Sequence, residues 1–167
     1  MDPFKQYFVA WLLSNIVFGL TIIGALRKPM LTRIFLAGFF LWASYFNSTS
    51  ARKSPEIYLD YAKLDALPAY SAFINGFFAQ HITSFVCTIA TAQLLIFIGL
   101  VLNNIWTKLS CIGGIVFGVA IAPLGVGSGF PSTISMALAF FILLIKYEHT
   151  YIWNWKQYGI FKNVSIS

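Results

Sequence analysis

The chain has 167 residues, of which 59% are hydrophobic and 10% charged, with a formal net charge of +6. So few polar groups cannot cover the surface of a soluble domain, which excludes that class and defines an integral membrane protein. The basic residues are scattered over span ends and form no stripe, which excludes nucleic acid as the partner and favours the anionic headgroups of a lipid bilayer.

A hydrocarbon core of about 30 Å takes about 20 helical residues at a rise of about 1.5 Å each. The predicted fold is therefore all-α: a single membrane domain, 1–167, with spans near 8–26, 31–47, 82–102, 109–123 and 131–147 and an outer interfacial segment at 48–81. The first span carries Asn15, polar at membrane depth. It resembles a signal peptide loosely, but its apolar run is long and is followed by Arg27 and Lys28 where a small-residue cleavage site would stand, so it is read as a retained span. The second span is short and extends through its flanks.

In the interfacial segment, Ser54-Pro55-Glu56 reads as a helix start, with a capping serine, proline in the first turn and an acid near the positive end of the dipole. A helical period then puts Ile57, Tyr61 and Leu64 on one face, with Asp60 and Lys63 away from it. After Pro68 the pattern restarts with Tyr70, Phe73, Ile74 and Phe77, so aromatic-rich helices are expected to lie in the interface. Asn47-Ser48-Thr49 matches a glycosylation pattern, as does Asn163-Val164-Ser165, and both matches are taken as chance.

His81 precedes the third span, and Ser84, Thr88 and Thr91 continue from it within one broad stripe. Histidine can bind metal or shuttle protons; one at a boundary reads first as interfacial and second, with Gln93, Asn15 and Ser128, as part of a ligand pocket, and no metal site is expected. Gln93 lies deeper in the same span. It reads first as an interhelical hydrogen-bonding group, together with Asn15, and second as a donor to a ligand carbonyl. Cys87 and Cys111 lie in different spans outside any CxxC arrangement and read as buried small hydrophobes.

The apolar run 109–146 is too long for one span and is interrupted by "APLGVGSGFPST". Pro123, Gly125, Gly127, Gly129 and Pro131 disfavour a continuous helix there. The stretch lacks the lysine of a phosphate-binding loop, and Ser128 lacks the GxSxG elbow of a hydrolase. With Gly114 and Gly118 four apart in the preceding helix, it is expected to be a closely packed turn near the outer face, with a ligand pocket at Ser128 as the second reading. The C-terminal segment sets Tyr147, Tyr151, Trp153, Trp155 and Tyr158 among lysines, a headgroup-boundary composition.

With five spans, Arg27, Lys28, Arg33, Lys108, Lys146, Lys156 and Lys162 fall on one side, and Lys5, Arg52, Lys53 and Lys63 on the other, the last three matched by Glu56, Asp60 and Asp65. The basic side is expected to be cytoplasmic, with the N-terminus outside and the C-terminus inside.

The segment with "YLDYAKL", then "FFAQHITSFVCTIATAQLLIFIGLVL", then "GGIVFGVAIAPLGVGSGFPSTISMALAFFILL" resembles the bacterial DoxX-like membrane proteins over Ile34 to Ile145. The resemblance implies a four-helix core to which the first span is an addition, in the bacterial inner membrane. One branch of that family is the small subunit of a thiosulfate:quinone oxidoreductase. Its pattern often has a glutamate where this chain has Gln93, and the amide removes a protonatable group. Two functions are carried forward: a non-catalytic accessory subunit of a quinone-linked redox complex, and a small transporter with Gln93, Asn15 and the broken turn around a substrate path.

Overall fold

The computed structural model describes residues 3–64 and 67–146, with Ile152. The elements in chain order are α1 (Pro3–Arg27), α2 (Pro29–Lys53), a 3-10 helix (Pro55–Lys63), α3 (Pro68–Phe73) running into a π turn (Ile74–Phe78), α4 (Ile82–Val101), α5 (Ile105–Ile121), a second 3-10 helix (Ala122–Ser128) and α6 (Ser132–Ile145). No strand occurs among the described residues, and the all-α prediction holds. Four helical stretches are long and apolar enough to cross a membrane: Tyr7–Arg27, Pro29–Lys53, Ile82–Val101 and Ile105–Ser128. The apolar helix Ser132–Ile145 is shorter.

α1 packs on α6, α6 on α5, α5 on α4, α4 on α2 and α2 back on α1, so these helices close a ring. Lipid tails are as apolar as leucine, so helices associate in a bilayer by fit and interhelical hydrogen bonds. The fit is aromatic at the centre. Phe40 of α2 is fully buried, with the rings of Phe117 and Phe140 edge-on at 5.6 and 5.5 Å. The α5–α6 seam is closed by Gly114, where a side chain would run into the Phe140 ring, and by Gly118, whose added Cβ would stand 2.7 Å from Thr133 O. The expected close-packing role of this glycine pair is what the structure has. Leu13, Leu20, Leu95, Val116 and Ile145 point away from the bundle as an exposed apolar belt suited to acyl chains.

The ring has two unlike ends. Arg27, Lys28, Lys108 and Lys146 gather at one, the basic end. At the other, residues 54–64 and 67–81 form a roof over α2, α4 and the second 3-10 helix.

Three local expectations need correction. The second span, read as 31–47, is helical from Pro29 to Lys53, so residues 48–53 belong to α2 and not to the interfacial segment. Its polar last turns hold a helix because other elements supply partners for them. Ser54 makes no side-chain cap, and the residues after it form a 3-10 helix. A period of about 3.0 residues aligns positions three apart. Tyr58 and Leu64 are thus buried with Tyr61 partly so between them, whereas Ile57, predicted on the inner face, is exposed. In the next segment the wider π turn buries Ile74 and Phe78 and leaves Phe73 and Phe77 exposed.

The break in the last apolar run is as predicted. Gly125 and Gly129 have φ of 63° and 77°, backbone conformations that residues with a Cβ rarely adopt, and the Phe130–Pro131 bond is cis. The aromatic C-terminal segment, with Tyr147, Tyr151, Trp153, Trp155, Tyr158 and the Asn163 match, lies outside the described residues.

Candidate functional site

Polar side chains meet where α2 and α4 run under the roof. Asn47 Nδ2 donates to Gln93 Oε1 at 2.8 Å, and Tyr58 Oη donates to Asn47 Oδ1 at 2.9 Å. The chain Tyr58–Asn47–Gln93 thus joins the roof, α2 and α4. Ser44 Oγ bonds Ala90 O at 2.7 Å and Thr83 Oγ1 bonds Ala51 O at 3.0 Å on either side of it. Tyr58 and Gln93 are 5% and 2% exposed, so the bonds form where water competes little. Burial, with the neighbouring Tyr61 phenol adding to it, pushes the Tyr58 hydroxyl up to about 12. Tyr58 is therefore a fixed donor at any physiological pH. Burial also raises Tyr61, with Tyr7 of α1 as a second cause. Gln93 commits its oxygen to Asn47, and none of the hydrogen bonds among the described residues uses its Nε2.

Gln93 and Asn15 do not come together. Asn15 Nδ2 bonds Trp11 O at 2.8 Å and Gly129 O at 3.2 Å, and Trp11 Nε1 bonds Phe130 O at 2.6 Å. α1 thereby holds the broken turn from one side. From above, Tyr61 lies so close to Gly127 that a Cβ there would stand 2.7 Å from its ring, and Leu67 N bonds Pro123 O at 2.9 Å. Ser128 Oγ bonds Gly125 O at 3.0 Å within the turn itself, and Pro131 leads into α6. The turn is packed between α1 and the roof.

His81 is exposed at the roofed end, its Nδ1 3.1 Å from Phe77 O and its ring 4.6 Å from the Phe77 ring. Ser84, Thr88 and Thr91, predicted to extend from it, are exposed on the same side of α4. The Thr88 and Thr91 hydroxyls bond back to Ser84 O and Cys87 O at 2.9 Å each. That stripe faces out of the bundle. Cys111 is buried and Cys87 half-buried, both as free thiols, and no cluster of metal-ligating side chains occurs among the described residues.

Two participants escaped the sequence reading. Asn47 stands at the last position of the expected span 31–47 and enters the sequence reading only as a glycosylation match, although its position six residues before the end of a 25-residue helix gives it a fixed direction into the bundle. Arg33 was counted with the surface charges, yet it lies in α2, 6% exposed. Its Nε donates to Leu100 O at 2.6 Å, and its Nη2 to Leu102 O and to Thr107 Oγ1, the latter at 3.0 Å. Pro29 in the first turn is the signal that places Arg33 inside a helix. The guanidinium is held at the C-terminal end of α4, where free carbonyls and the dipole favour a cation.

Compared with family models, with curated proteins and with solved structures, the chain matches none of them.

Proposed function

We propose that this membrane protein is a non-catalytic, DoxX-like accessory subunit of a quinone-linked redox complex in the bacterial inner membrane, with its roofed end outside and its basic end cytoplasmic. The observation that carries the reading is the neutral chain Tyr58–Asn47–Gln93, which combines burial with uncommitted Gln93 Nε2 donors. An amide in that setting can donate to a quinone carbonyl and orient the ring, and it supplies no proton. Redox chemistry would then belong to the partner protein. Further support comes from the resemblance over Ile34 to Ile145, and the orientation follows from the excess of Lys and Arg at the basic end.

The test is purification in a mild detergent from the native membrane, with mass spectrometry of co-purifying proteins and of lipophilic small molecules. The expected result is a stoichiometric oxidoreductase partner and enriched quinone, with the quinone lost from a Gln93→Leu variant that keeps its partner. A protein recovered alone with ordinary lipid would overturn the proposal, and flux through liposomes containing it would establish the transporter instead.

A further inference from the structure

The cations of the basic end have no part in that function, and three of them meet from different elements. Arg27 closes α1, Lys28 alone links α1 to α2, and Lys146 follows α6. Lys146 Nζ donates to Leu26 O at 2.7 Å, which sets its ammonium beside the residue that precedes Arg27. All three side chains are exposed, and the carboxylates among the described residues, Glu56 and Asp60, lie in the roof at the other end. The positive charge of the cluster is therefore uncompensated among the described residues.

The helices carrying Arg27 and Lys146 also turn apolar side chains outward over their last turns, Leu20 and Ile23 on α1 and Phe141 and Ile145 on α6. Cations at the rim of an outward-facing apolar surface match a molecule with an anionic head and long hydrocarbon tails. A soluble anion would use the cations alone, and a zwitterionic lipid would bring its own cation against them.

We infer that Arg27, Lys28 and Lys146 form a binding site for an anionic phospholipid, its phosphate at the basic end and its acyl chains along α1 and α6. Lys146 has a positioning part as well, since one of its protons is spent on the free carbonyl of Leu26 while the others face the lipid. Exposed cations near a membrane surface each contribute about fivefold to affinity for an anionic lipid.

The full-length protein in uncharged detergent would be titrated with phosphatidylglycerol, with phosphatidylcholine of the same acyl chains and with inorganic phosphate, following the melting temperature and the bound lipid by native mass spectrometry. Phosphatidylglycerol is expected to raise the melting temperature saturably and to remain bound, while the other two do neither. An R27Q/K28Q variant should weaken phosphatidylglycerol by about 25-fold, and R52Q/K53Q at the roofed end should leave it unchanged. On the unaltered protein, the response should weaken as salt is raised. An equal response to phosphatidylcholine, a shift reproduced by inorganic phosphate, an unchanged affinity in R27Q/K28Q or indifference to salt would each overturn the site.

Discussion

At the basic end the helices are joined by Lys28 alone and by residues 102–104, and long cationic side chains reach across to main-chain carbonyls: Arg33 to Leu100 O and Leu102 O, Lys146 to Leu26 O. At the roofed end the connections are residues 54–81 and 122–131, and the tertiary hydrogen bonds run largely between neutral groups: Tyr58, Asn47 and Gln93, and Trp11 and Asn15 with the turn. The difference follows from what each end must satisfy. Short links leave helix C-termini with free carbonyls, and a cation both fills them and complements the dipole. A long roof brings its own donors and acceptors and can close the bundle without charge. The basic end is thus stapled through Arg33 and Lys146 with its exposed cations turned outward, and the roofed end is the place with neutral groups left over for a ligand.

The largest effect is expected at Arg33. Arg33→Met removes a buried cation and strands the carbonyl of Leu100, with Leu102 O left to Thr107 alone, at a cost of about 3 kcal/mol. Arg33→Lys keeps the charge without the planar fork and should recover only part of it. Denaturant unfolding in mild detergent measures both. A loss no larger than that of an exposed charge such as Lys53→Met would mean that the basic end is not stapled in this way.

The roofed end answers to a different change. Asn47→Leu removes the bonds to the Tyr58 hydroxyl and the Gln93 carbonyl together, at a cost of about 2 kcal/mol. Because both losses belong to one chain of bonds, adding Gln93→Leu should cost less than it does alone, by about 1 kcal/mol. Strict additivity in the double-mutant cycle would show that Asn47 and Gln93 do not act as a unit.

How far the sequence could be read follows the same division. Apolar runs bounded by charge locate the membrane helices, and clustered proline and glycine locate the break at residues 122–131, because those signals are local. Arg33 was misplaced because sorting Lys and Arg by side of the membrane carries no information on depth. Only the helix start at Pro29 and the backbone across the bundle fix where its guanidinium goes. The roof departs in register from the sequence reading because a 3.6-residue period does not describe a chain that tightens to about 3 residues per turn over Pro55–Lys63 and widens into a π turn over Ile74–Phe78. The Tyr58–Asn47–Gln93 chain was half legible: Gln93 stood out as polar in an apolar span, while its partner is chosen by how α2 and α4 pack, which no single segment encodes.

The smallest effect appears only in alkali and tests whether the roof is as dry as its geometry implies. The Tyr58 hydroxyl titrates at about 12 in the folded protein against 10.0 for an unburied phenol. Below pH 10 both folded and unfolded chains keep the proton, so the full contribution of the residue is present. Between pH 10 and 12 the unfolded chain releases it first, and stability falls as pH rises. Lysines and other phenols titrate nearby, so the informative quantity is the stability difference between the protein and Tyr58→Phe across that range. At neutral pH the variant should be less stable by about 1 kcal/mol for the lost bond to Asn47, and the gap should narrow above pH 10 because phenylalanine has no proton to lose. A gap that stays constant with pH would mean that water reaches Tyr58, and the roof would then be an open cover over Gln93 instead of a seal.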